Sequence, residues 1–292
     1  MPLTAIQRRV LALLAVNRSA DSHLAGAAGV HMSEKSPRRS ADIDLFHDRE
    51  EAVASAFAKD RALLEGNGYA LELQLSQPGF IRAVLTDRHH EQIRVDWAYD
   101  SVWRFMPAVE LEDAGYVLHP VDLAVNKVLA LVGREEPRDF VDVVYLHQRV
   151  LPLGALAWAA CGKDPGLNPQ MLLELLARRG RIRPEEIKRL DLTAALDPAD
   201  QENIFREALQ QGRAWIASRP PVEVGCLYRK PDTGQFFAPQ PADSYAVHRG
   251  SRAGVLPSPD VQQTWLIHAE ERTQLESFFE RRLRQAIPNI RE

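Results

Sequence analysis

A chain of 292 residues with 36 Lys and Arg against 40 Asp and Glu, a formal net charge of -4 and 45% hydrophobic residues has the composition of a globular protein long enough for two domains. The weak acidity argues against a dedicated DNA-binding protein, whose footprint is strongly basic, while leaving room for a local basic patch. Two cysteines are too few for a disulfide framework or a four-ligand zinc site, and the apolar stretches 10–16 and 151–161 fall well short of the ~20 residues of a membrane span, so the expectation is a cytoplasmic protein with reduced thiols and no membrane partner.

In chain order, Ile6–Val16 carries apolar residues at helical spacing, and residues 22–32 read as a small-residue turn between helical segments. Arg39–Phe46 is strand-like. Glu50–Asn67 is helical and stops at Gly66 and Gly68. Strands are expected at Ala70–Leu75, Phe80–Thr86 and Glu91–Tyr99. Beyond Pro120 the pattern predicts six helices, at Val121–Val132, Pro137–Arg149, Leu153–Cys161, Pro169–Arg179, Pro184–Leu190 and Pro198–Ala217, several opened by a proline whose missing N–H costs nothing there. Val222–Arg229 and Gln235–Ala238 flank Pro231-Asp232-Thr233-Gly234, a hairpin-turn sequence. Residues 243–259 read as loop and 261–287 as a terminal helix. The resulting α+β chain divides into residues 1–118, a helical domain 119–219 and an extension 220–292 formed by the hairpin and the last helix.

The chemistry is concentrated in Ser40-Ala41-Asp42-Ile43-Asp44-Leu45-Phe46. Residues two apart on a strand share a face, so Asp42 and Asp44 project together while Ile43 and Leu45 pack behind them. Two carboxylates side by side repel unless a cation sits between them, and such an oxygen-rich pair suits Mg²⁺ or Mn²⁺ with substrate phosphate. Asp96 lies on the strand face opposite Val95 and Trp97; if that strand borders the first, three carboxylates converge in the arrangement used for metal-assisted phosphoryl or nucleotidyl transfer. Upstream, Leu24-Ala25-Gly26-Ala27-Ala28-Gly29-Val30 is a glycine turn able to open a helix and bring backbone N–H groups to phosphate.

A glycine turn, a carboxylate pair and a later carboxylate strand, followed by Asn126-Lys127-Val128-Leu129-Ala130 and Pro137-Arg138-Asp139-Phe140-Val141-Asp142, resemble the AbiEii/AbiGii-type nucleotidyltransferase toxins of the DNA polymerase beta superfamily. The resemblance implies a polymerase beta-like core, a small mixed sheet with flanking helices. It further implies Mg²⁺ or Mn²⁺ on Asp42, Asp44 and Asp96, a nucleoside triphosphate contacted by Gly26, Ala27, Ser40 and Lys127 and framed by Arg138 and Asp139, and Asp142 in the reaction centre as a base or acceptor-orienting group. The activity implied is transfer of a nucleoside monophosphate to an acceptor hydroxyl, the tRNA 3′ end being one acceptor, by the toxin of a toxin–antitoxin or phage-defence pair with a cognate antitoxin.

At the first motif the family carries adjacent glycines, or glycine then serine, followed by a hydroxyl residue, where this chain has Ala27 and Ala28. That departure motivates a second reading, a non-catalytic relative that binds a nucleotide or a partner; a third is a small-molecule nucleotidyltransferase of antibiotic-modifying type. Lys127 and Asp142 also read as a simple helix–helix ion pair. The cluster Arg178, Arg179, Arg181, Arg183, Lys188 and Arg189 suits either an RNA backbone or a solvated helical corner. The histidines have no metal-ligand or triad spacing, and Trp158, Trp215 and Trp265 read as packing residues.

Overall fold

The computed structural model describes residues 3–32 and 36–257, so the terminal helix expected at 261–287, with Trp265, lies outside the described residues. The elements are α1 (Ala5–Leu14), β1 (Ser22–Ala25), α2 (Gly26–Val30), β2 (Asp42–His47), α3 (Glu50–Gly66), β3 (Ala70–Gln77), β4 (Phe80–Thr86), β5 (Gln92–Tyr99), β6 (Trp103–Arg104), β7 (Val109–Leu111), β8 (Gly115–Val117), α4 (Pro120–Arg134), α5 (Pro137–Arg149), α6 (Leu153–Lys163), α7 (Pro169–Arg179), α8 (Pro184–Lys188), α9 (Pro198–Ala217), β9 (Cys226–Arg229), β10 (Phe236–Phe237), β11 (Ala246–Arg249) and β12 (Ser251–Arg252). The expected α+β class is observed. A mixed sheet in the order β3-β4-β5-β2-β1-β8-β7 carries the first half of the chain, β10-β9-β11 form a small second sheet, and β12 pairs with β6.

Strand alternation decides which residues reach the site. In β2, Ile43 and Leu45 are wholly buried in the core shared with α1 and α3, and this turns Asp42 and Asp44 to the other face. β5 runs parallel to β2 with Asp44 opposite Asp96 and Asp42 opposite Arg94. The register is anchored from behind, where the Trp97 indole N–H donates to Asp60 of α3 at 2.7 Å and the buried Arg18 guanidinium grips the same carboxylate. A slip of one residue would send Trp97 to the cleft and Asp96 into the core.

Helix α1 starts at a capping box in which Thr4 Oγ1 accepts from the Gln7 N–H and Gln7 Oε1 accepts from the Thr4 N–H. The buried Gln7 amide also donates to the Ser40 carbonyl at 2.9 Å, tying α1 to the segment that leads into β2. The six expected helices form as α4 to α9 around a second core, with α6 apolar on all sides and buried at its centre. There α6 meets α9 at Gly154 and Gly212, where a Cβ on Gly154 would collide with the Gly212 backbone. Trp158 and Trp215 meet edge to face in this core, as packing residues. Among the described helices none is long and apolar enough to cross a membrane.

Two sequence expectations are corrected. Residues 22–32 are not a turn between helices: Ser22–Ala25 is a central strand, antiparallel to β2 and parallel to β8, and only the five residues from Gly26 are helical. The stretch expected as loop from 243 contains β11 and β12. Strands this short, among small or polar residues, carry too few apolar positions for a period of two to register.

Burial pushes the His23 and His47 imidazoles down to about 4 and that of His119 to about 3, because the charged form would lose its hydration. The unfolded chain takes up these protons near pH 6.5 and the folded chain does not, so the stability they contribute is complete above pH 6.5 and is lost as the pH falls toward 4, at about 1.4 kcal/mol per pH unit for each. Asp44 and Asp122, raised by burial to about 6, act in the opposite sense and return part of that loss. Urea midpoints should therefore be lower at pH 5 than at pH 7.5; an equal or higher midpoint at pH 5 contradicts the burial of these histidines in neutral form.

Candidate active site

The carboxylate row on β2 and β5 faces the N-terminal end of α2 and the helices α4 and α5. Gly26 has φ +58 and lies so close to Asp44 that a Cβ would overlap its carboxylate, which is why a glycine opens this turn. Asp44 is half-buried, and among the described residues no hydrogen bond or ion pair engages it. Burial and the charges of Asp42 and Asp96 push its pKa up to about 6, against a partial offset from Lys127. Asp42 has counter-charges: Arg94 is in direct ion-pair contact and Arg138 Nη1 lies 3.6 Å away. Burial opposes its ionisation, but these arginines outweigh burial and hold Asp42 below the usual carboxylate range. Ser40 Oγ donates to the Asp42 carbonyl at 2.9 Å, fixing the start of the strand. Asp96 takes a bidentate pair from Arg82 at 2.8 and 2.6 Å.

Behind this row lies a second network, whose carboxylates and lysine are buried. Lys127 Nζ on α4 donates to Asp139 at 2.9 Å and forms an ion pair with Asp142 at 2.7 Å, both on α5. Asp139 also holds Arg134 in a bidentate pair. Asp142 accepts two bonds from Arg38, each at 2.7 Å, and one from His31 Nε2 at 2.7 Å. Burial would raise both carboxyls, but the cations outweigh it: Arg134 and Lys127 hold Asp139 low, and Lys127 and Arg38, with the His31 hydrogen bond beside them, hold Asp142 well below the usual range. His31 itself is lowered, first by burial, so its ring is neutral at pH 7.

The structure thus gathers Gly26, Asp42, Asp44, Asp96, Lys127 and Arg138 around one cleft, with Ser40 and the buried Ala27 supporting it. The Lys127 to Asp142 pair exists, within a larger network. Asp139 and Asp142 lie behind Lys127, and both Asp142 oxygens are taken, which leaves neither free to accept a proton from an acceptor. Five residues missed by sequence reasoning complete the charge pattern: His31, Arg38, Arg82, Arg94 and Arg134. Arg94 was legible, since it precedes Asp96 by two and must share its face; a lone histidine at 31 carries no comparable signal. The basic cluster at 178–189 is exposed, with Arg179 paired to Glu135 and Arg183 to Glu186, and it adjoins the site where Arg39 pairs with Asp191 at 2.9 Å.

Among the described residues no three His, Cys, Asp or Glu side chains form a ready-made ion site, because Asp42 and Asp96 are turned onto arginines. The donor chemistry nevertheless fits a hard divalent cation: two carboxylates share one strand face and one of them, Asp44, has no partner among the described residues. Such an ion must take the Asp42 oxygen from Arg94 and Arg138. Ionising Asp44 without a cation costs stability as the pH rises from about 4 through 6. Asp44→Asn should therefore stabilise the metal-free protein at pH 8 by about 1–3 kcal/mol and abolish any stabilisation by Mg²⁺; a destabilised variant, or one still stabilised by Mg²⁺, contradicts this.

The family described as nucleotidyl transferase AbiEii toxin, Type IV TA system, matches residues 24–214, spanning every site residue above. No curated protein matches the sequence. Among solved structures, the chain is similar to MenT4, a nucleotidyltransferase toxin from Mycobacterium tuberculosis H37Rv, with a TM-score of 0.51 and 15% identity over 73% of this chain and 85% of that one. JHP933 from Helicobacter pylori aligns with a TM-score of 0.45 and 12% identity over 72% of this chain and 90% of that one. The fold is that of the nucleotidyltransferases, and with its mixed sheet, its Asp42–Asp44 strand and a family match across most of its length, the chain belongs to the AbiEii nucleotidyltransferase toxin family.

Proposed function

We propose that this nucleotidyltransferase is metal-dependent, that it transfers a nucleoside monophosphate from a nucleoside triphosphate to an acceptor hydroxyl at the Asp42–Asp44 cleft, and that it acts as a toxin held in check by a cognate antitoxin. The observation that carries the reading is the Asp44 carboxylate, which has no hydrogen bond or ion pair among the described residues and is set between the Gly26 turn and Lys127. A divalent cation on Asp42 and Asp44, with Asp96 beside them, would supply charge neutralisation at the triphosphate and activation of the attacking oxygen. Lys127 donates to Asp139 and pairs with Asp142, which leaves the ammonium with a donor for a phosphate oxygen. Arg138, one-third exposed beside Asp42, is placed to neutralise charge on the same phosphates. Asp142 serves by orienting Lys127 rather than as a base, since its oxygens are committed.

For the acceptor, RNA is favoured by the exposed basic cluster at 178–189, near which Asp191 pairs with Arg39, the residue before Ser40. Such a surface has no counterpart need in a small antibiotic-type acceptor.

The test is incubation of the full chain with labelled nucleoside triphosphates and Mg²⁺ or Mn²⁺, against separate pools of RNA and protein. Transfer to RNA is expected, reduced by roughly 10²–10³-fold or more in Asp44→Ala. Transfer to protein alone contradicts the RNA acceptor. No transfer with either metal, alongside nucleotide binding, favours the non-catalytic relative suggested by Ala27 and Ala28.

A further inference from the structure

Lys127 is 5% exposed, so the direction of its remaining N–H is set by whatever fixes the two carboxylates that hold it. Asp139 is fixed by Arg134 from the same side of the network. Asp142 is fixed from behind, by Arg38 and by a histidine for which the chemistry described so far has no use. His31, at the C-terminal end of α2, is wholly buried and uses both ring nitrogens. Its Nε2 lies 2.7 Å from Asp142 Oδ1, and its Nδ1 is hydrogen-bonded to the Ser36 hydroxyl, itself 1% exposed. A carboxylate only accepts, so Nε2 carries the proton; in the neutral ring Nδ1 then accepts from Ser36 Oγ, which shares its single proton between Nδ1 and the Arg38 carbonyl at 3.2 Å. Ser36 is located in turn by Thr193, whose hydroxyl donates to the Ser36 carbonyl and whose N–H donates to the Pro37 carbonyl at 3.0 Å. Arg39 N–H donates to the Asp191 carbonyl at 2.8 Å, closing the same strap.

We propose that His31, oriented by Ser36, is a positioning residue that acts through Asp142 to aim the Lys127 ammonium at the nucleotide triphosphate. The chain of contacts runs from the loop after α8 through Ser36, His31 and Asp142 to Lys127, four buried side chains. A buried space filler has no need of two directed hydrogen bonds, and a second arginine at this point would overcharge a carboxylate that already balances Arg38 and Lys127. A neutral donor adds direction without charge. The proposal rests on the reading of Lys127 as the phosphate-binding group.

Affinity of the full chain for a non-hydrolysable nucleoside triphosphate with Mg²⁺, measured by equilibrium titration alongside thermal melts, tests it. His31→Phe, similar in volume and without donors, should weaken binding about tenfold; His31→Gln, which keeps an N–H for Asp142, should recover most of that loss. Ser36→Ala, the mildest change, should weaken binding in the same direction and serves if the phenylalanine variant does not fold. In a Lys127→Ala background the His31→Phe and Ser36→Ala effects should vanish, because they act through the missing ammonium. Full effects persisting in that background, or wild-type affinity in folded His31→Phe and Ser36→Ala, overturn the proposal. If Lys127→Ala alone leaves affinity unchanged, the reading of Lys127 fails and the proposal falls with it.

Discussion

Like charges placed side by side on neighbouring strands must be answered by cations, and the cleft of this protein is organised around that demand. The parallel pairing of β2 and β5 puts Asp44 opposite Asp96, with Asp42 two residues away on the same face. Arg94 and Arg138 answer Asp42, and Arg82 answers Asp96, while Asp44 has only distant help. An uncompensated, half-buried carboxylate is a cost to the fold. In the proposed function, that uncompensated charge beside two others is the place a divalent cation would stabilise and a nucleotide's metal would enter. The fold holds this arrangement from the rear, through Ile43, Leu45 and Trp97 in the core and the Arg18 to Asp60 pair beneath them.

The second charge network differs in kind. Asp139 and Asp142 are more deeply buried than Asp44, yet they are held low because Lys127, Arg134 and Arg38 surround them. This network has no capacity left for a metal or for a proton. Its value lies in rigidity: it joins α4 to α5 and ties both to the segment that feeds β2, so one ammonium is presented to the cleft in one place. In the proposed function the two clusters divide the work, the open one offering negative charge to a cation and the closed one offering positive charge to phosphate.

Much of this was legible in the sequence because it follows from alternation and helical spacing. The Asp42 and Asp44 face, the Asp96 face and the pairing of Asp139 with Asp142 are local geometry, and the six helices announce themselves through prolines and apolar spacing. The strand β1 was hidden, since Ser22–Ala25 has a single large apolar residue, Leu24, and is buried by pairing with β2 and β8 on its two sides. The arginine partners were hidden for another reason: which guanidinium reaches which carboxylate depends on strand order, and the order β4-β5-β2 is a long-range fact. His31 and Arg38 meet Asp142 across more than a hundred residues of chain, a contact that no local pattern encodes.

A crystal structure with Mn²⁺ and a non-hydrolysable nucleoside triphosphate reaches the central claim most directly, through the anomalous signal of the metal. The expected result is a manganese peak between the Asp42 and Asp44 carboxylates, Arg94 withdrawn from Asp42, and a phosphate oxygen within hydrogen-bonding distance of Lys127 Nζ. A nucleotide bound elsewhere, with Arg94 still paired to Asp42 and no metal at Asp44, would contradict it.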